Sequence, residues 1–135
     1  MRALFILLAL GSLGSVAHAM PDDVARVYGM LESSRLDEAA PLVDRLRKDP
    51  SVYPFVAGAW AYYHGDYTAA ADTLDSALSS QVLDPELVAE AKQLRDLARN
   101  DATVIKGFVH RRSAHFDVAV APGGDEVLIG PALDT

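Results

Sequence analysis

Gly58-Ala59-Trp60-Ala61-Tyr62-Tyr63-His64-Gly65-Asp66-Tyr67-Thr68-Ala69-Ala70 decides how this 135-residue chain folds. The run from Phe55 to Tyr63 is apolar on every side, which predicts a helix over about Tyr53 to His64, packed on more than one flank. Pro54 suits its first turn. Gly65-Asp66 makes a tight turn. Beyond it Tyr67, Ala70, Ala71, Leu74, Ala77 and Leu78 recur at helical spacing on one face of the next helix. The small residues Gly58, Ala70 and Ala77 let the two helices approach closely, while Tyr67 fills the gap at the turn.

The same arrangement extends in both directions. Upstream, Val24, Val27, Tyr28 and Leu31 form a helical stripe, with Asp22 or Asp23 as its cap, where acids also suit the helix dipole. Ser33-Ser34-Arg35 interrupts it. A second stripe follows through Leu36, Ala39, Ala40, Val43 and Leu46 and ends on the basic Arg47-Lys48 before Asp49-Pro50. Pro41 is compatible with that helix only if the helix starts late enough to hold it in the first turn; otherwise it kinks the helix. Downstream, Ser79 to Leu83 reads as a loop. Asp84-Pro85 then opens a fifth helix carrying Leu87, Ala91, Leu94 and Ala98, and continuing through Ala102 and Ile105 to Lys106-Gly107. The period then changes. Phe116, Val118 and Val120 alternate with Asp117 and Ala119 as a strand does, and Pro122-Gly123-Gly124 turns the chain. Asp125-Glu126 offers a further helix start at Val127, which Gly130-Pro131 weakens.

The first two pairs of helices also correspond in sequence. Arg35-Leu36-Asp37-Glu38-Ala39 and Asp66-Tyr67-Thr68-Ala69-Ala70 each open the second helix of a hairpin, with the two alanines 31 residues apart. An interval of that size signals stacked helical repeats. Gly58, Tyr62 to Ala70 and Ala77-Leu78 resemble the tetratricopeptide repeat (TPR). The resemblance is good over residues 51–84 and weaker over 20–50, which lacks the turn glycine and carries Pro41. The tail, from Ser113-Ala114-His115-Phe116 through Asp125-Glu126, resembles a junction in exported bacterial proteins where such repeats precede a zinc peptidase domain of the peptidase MA type. That family's His-Glu-x-x-His motif places two imidazoles and a catalytic base on one helix face. None of His18, His64, His110 and His115 begins it, so the resemblance carries over no catalytic residue. A lone strand is not stable by itself, and only Thr103 to Val109 offers it a neighbour. The tail therefore suggests either the front part of a longer protein or a strand that pairs elsewhere.

Composition narrows the function. The formal charge is −7, which disfavours nucleic acid as a partner. Without cysteine there is no disulfide, thiolate metal site, cysteine nucleophile or lipidated cysteine. Arg2, the apolar run Ala3 to Leu10 and Ala17-His18-Ala19 read as a cleavable export signal. Its apolar part is too short for the roughly 30 Å of a bilayer interior. Cleavage after Ala19 removes Arg2 and leaves 11 basic and 19 acidic residues, a charge of −8.

The expected organisation is a signal peptide at 1–19, a mostly α array of about five helices in antiparallel TPR-like hairpins at 20–107, and a strand–turn tail at 108–135. The expected location is periplasmic or secreted, with no membrane span after cleavage. No residue qualifies as catalytic, cofactor-binding or metal-binding. Asp22-Asp23, Asp37-Glu38 and Asp125-Glu126 read as helix-start acids, and His110-Arg111-Arg112 with His115 as a solvated loop. In the TPR family the first helix of each hairpin lines a concave groove. That geometry implies Val52, Phe55, Ala59, Tyr62 and Tyr63 as partner-binding residues, although core packing competes for the aromatic ones and for Trp60. The partner would be a protein or peptide, or a following domain of the same protein. So short an array also makes self-association plausible.

Overall fold

The structure is a computed structural model that describes residues 20–112 and 117–123. The stretch 1–19 read as an export signal, the segment 113–116 with His115 and Phe116, and the helix start expected at Asp125-Glu126 lie outside the described residues.

Among the described residues five helices follow one another: α1 (Asp22–Glu32), α2 (Leu36–Leu46), α3 (Tyr53–Tyr63), α4 (Tyr67–Ser79) and α5 (Val88–Ile105). A single 3-10 turn, Pro85–Leu87, leads into α5. The architecture is the expected mostly helical array of hairpins. Helices α1 and α2 form one hairpin, α3 and α4 the next, and α5 packs on α4. Helix α3 touches all four others, as its all-round apolar sequence requires.

The two hairpins turn in the same way. At the end of α3, Gly65 N–H donates to Tyr62 O at 2.9 Å and Asp66 N–H to Ala61 O at 2.9 Å, with Gly65 at φ 81°. At the end of α1, Ser34 N–H donates to Leu31 O at 3.0 Å and Arg35 N–H to Met30 O at 2.9 Å, with Ser34 at φ 57°. Both are Schellman terminations, which satisfy carbonyls that the helix leaves open. Ser33 and His64 precede them at φ −88° and −89°. The repeat seen in the alanines is therefore a repeat of the backbone as well. The missing turn glycine is replaced by a serine held in the left-handed region.

The core runs through all five helices. Phe55, Leu31, Leu74, Leu87, Val24, Val27 and Val56 are fully buried. Ala39 and Ala70, the aligned alanines, are both completely inaccessible. Ala70, Ala71 and Ala98 form a separate small-residue seam between α4 and α5, with Ala61 and Tyr62 of α3 against it. A Cβ on Gly58 would stand 2.6 Å from Leu74 Cγ, so the closeness of α3 and α4 there depends on glycine.

Three expectations need correction. Helix α2 does not start late: Pro41 lies in its second turn. Proline has no N–H to offer the carbonyl four residues back, at Asp37, but both residues are exposed and water can replace that bond. Asp22, Asp23, Asp37 and Glu38 lie inside the first turns of α1 and α2 and make no capping hydrogen bond; all four suit the helix dipole, and Glu38 also pairs with Arg35 at 3.3 Å. True caps are Asp66, which accepts from Ala69 N–H at 3.0 Å, and Asp84, which accepts from Glu86 N–H at 2.9 Å. Finally, the tail strand has a neighbour in the chain. β1 (Val109–Arg112) pairs antiparallel with β2 (Asp117–Val120), from Val109 opposite Val120 to Arg112 opposite Asp117. His110-Arg111-Arg112 is thus strand backbone, not loop, and the argument from a lone strand loses its premise.

Candidate functional site

The five residues expected to meet a partner divide into two groups. Val52 is 5% exposed, Phe55 0% and Ala59 1%, so these three belong to the core and have no surface to offer. Tyr28 stacks on Phe55 with ring centroids 5.7 Å apart and helps to cover it. Tyr62 and Tyr63, at the end of α3, are half-buried.

Tyr62 points toward α5. Its hydroxyl donates to Asp101 Oδ2 at 2.7 Å, and its ring tilts against Tyr67 at 5.1 Å. With the small-residue seam beneath it, Tyr62 works as a strut between α3 and α5. Tyr63 points toward α1. It meets Tyr28 edge-on at 6.0 Å and Tyr62 edge-on at 5.3 Å. Edge-to-face contacts at these distances suit the ring quadrupoles. Trp60 is not part of this group: it sits over His64 at 4.2 Å, and His64 Nδ1 lies 2.8 Å from the Trp60 carbonyl oxygen.

The result is a row of rings that starts at the buried Phe55 of α3, passes over Tyr28 of α1, returns to Tyr63 and Tyr62 of α3 and ends at Tyr67 of α4. Tyr28 was legible in the sequence only as one apolar position of a stripe. Its four-residue spacing to Glu32, which puts ring and carboxylate on one helix face, was the available signal.

The surroundings of these rings are acidic. Burial raises the Tyr28 phenol well above its ordinary value, and contact with Tyr63 and the charges of Glu90 and Glu32 add to the rise. Burial also raises Tyr63; its contact with Tyr28 opposes the rise, while Glu32 and Glu90 add to it. Burial and the bond to Asp101 raise Tyr62. All three phenols therefore stay neutral through the physiological range and serve as ring surface and hydroxyl partners.

The basic residues of α5 face the other way. Arg95 and Arg99 both pair with Asp75 of α4, Arg95 at 3.6 Å, and Arg95 also with Asp96 at 2.8 Å. Among the described residues Glu32, Glu90 and Asp101 make no ion pair with a basic side chain.

Other features have simpler explanations. Among the described residues no group of three or more potential metal ligands converges, and none of the described helices is long and apolar enough to cross a membrane. A cleft of about 370 Å³ between the end of α4 and the start of α5 is lined mainly by Ala77, Leu78, Leu83, Pro85 and Val88, with Gln81 and Lys92 as its polar members. The sequence was compared with models of protein families, with curated proteins and with solved structures, and nothing matched in any of the three.

Proposed function

We propose that the chain is a non-enzymatic protein–protein interaction module, an exported array of TPR-like hairpins that holds a peptide segment or a neighbouring domain in the periplasm or outside the cell. One observation supports this most: α1, α3 and α5, alternate helices in the chain, lie side by side and carry the half-buried Tyr28, Tyr63 and Tyr62 on the surface they share. Aromatic side chains at such a place bury much area on contact while freezing few rotamers, which is why they dominate binding energies elsewhere.

The experiment is a peptide-display selection against the processed chain, followed by alanine substitution at Tyr28 and Tyr63. The proposal expects selected peptides whose binding is lost in both variants while circular dichroism and melting show that each variant remains folded. Peptides that bind equally well to both variants would place recognition elsewhere. The alternative, that the helices precede a zinc peptidase domain, now rests on the resemblance of the tail alone. The export reading has its own check: mass spectrometry of the protein from a bacterial periplasm should find Met20 at the N-terminus.

A further inference from the structure

We infer that the surface shared by α1, α3 and α5 takes a cationic peptide segment, with a lysine or arginine side chain laid against the Tyr28–Tyr63 ring pair between Glu32 and Glu90. This deepens the proposed function and rests on it. The first support is the placement of charge. Tyr28 and Glu32 stand one helical turn apart on α1, Tyr63 closes the end of α3, and Glu90 and Asp101 extend from α5. Positions 90 and 101 are eleven residues apart, about three turns, and so return to one side of α5. Tyr62, bonded to Asp101, shows that this side faces α3.

The second support is the direction of the positive charges. Arg95 and Arg99 are drawn to Asp75 on α4. Arg26 is two residues from Tyr28, roughly 200° around α1. The surface thus holds three carboxylates from two helices with no ion-pair partner among the described residues, and aromatic rings between them.

An ammonium or guanidinium group suits both components. It is attracted to the face of a tyrosine ring and to the carboxylates flanking it. An acidic or phosphorylated segment would be repelled by the same charges, and a chain of net charge −7 offers it no compensation. A neutral apolar segment would gain ring contact but nothing from Glu32 and Glu90.

The test uses the full processed chain and fluorescence anisotropy. The probes are short labelled Gly-Ser peptides carrying lysine, arginine, norleucine or glutamate at the same two positions. The lysine and arginine peptides should bind, more weakly as salt rises, and the norleucine and glutamate peptides should bind at least about tenfold less tightly. The double variant Glu32→Gln/Glu90→Gln should lose about three- to tenfold in affinity for the cationic peptides with an unchanged melting temperature. A parallel readout is the Tyr63 ring resonance in NMR, which should shift on adding the lysine peptide. Equal binding of lysine and norleucine peptides, or cationic binding untouched by the double variant, would overturn the inference and leave the interaction module standing. If the display selection also yields no binder, the module reading fails with it.

Discussion

Ser34 and Gly65 occupy the same place in successive turns, yet only glycine is at ease there. An L-residue in the left-handed region costs about 1 kcal/mol. Ser34→Gly should therefore stabilise the protein by about 0.5–1 kcal/mol, read as a higher urea midpoint at unchanged slope. Glycines within helices give a paired test. Gly29 has nothing within 4 Å of a Cβ, so Gly29→Ala should gain about 0.5–1 kcal/mol from helix propensity. Gly58→Ala brings the same propensity gain but drives a methyl into the fully buried Leu74, and overpacking costs about 1–3 kcal/mol. Its net effect should be a loss of about 1 kcal/mol. Opposite signs for one substitution at two helical glycines would show that α3 and α4 meet where described. Tyr28 adds a dependence on pH. Its folded value lies above the ordinary tyrosine value of about 10, so the fold favours the protonated phenol. That contribution is complete below about pH 10 and declines as pH rises beyond it. The melting temperature should fall through that alkaline range, and Tyr28→Phe should make the decline shallower.

At the level of elements, α5 is tied to the second hairpin by two different means. Tyr62 bonds to Asp101 from α3, and Asp75 of α4 holds Arg95 and Arg99. In the arginine pairs Arg99 is exposed while Arg95 and Asp75 are partly covered, and solvent keeps their contribution modest. The Tyr62–Asp101 bond is partly buried, and its loss in Tyr62→Phe should cost about 0.5–1.5 kcal/mol. A double-mutant cycle with Asp101→Asn checks that the two residues couple. Helix positions were legible because stripes such as Leu87, Ala91, Leu94 and Ala98 keep helical period throughout. The entry of α2 was not, because the rule that keeps proline in a first turn assumes that the freed carbonyl is costly. At the exposed Asp37 and Pro41 water lowers that cost. β1 was missed because Val109-His110-Arg111-Arg112 has no apolar alternation; it is a strand through pairing with β2, a property of two segments together.

On the scale of the whole molecule, brevity explains which residues of the expected site are buried and which reach the surface. The groove positions of a repeat family were carried onto Val52, Phe55 and Ala59 as though the array were long and open. With two hairpins and one further helix, α1 packs close on α3, and Tyr28 lies over Phe55, so these positions become core. Tyr62 and Tyr63 stay at the surface because they stand at the last turn of α3, where the packing thins. The acidic character of that surface comes from α1 and α5 together, with the rings of α3 between them, and no single stripe displayed it. The account therefore stands on α1 and α3 lying side by side with Tyr28 between Phe55 and Tyr63. Solution NMR of the protein tests this directly. The account predicts ring-to-ring nuclear Overhauser contacts from Tyr28 to both Phe55 and Tyr63; well-resolved rings showing neither contact would contradict it.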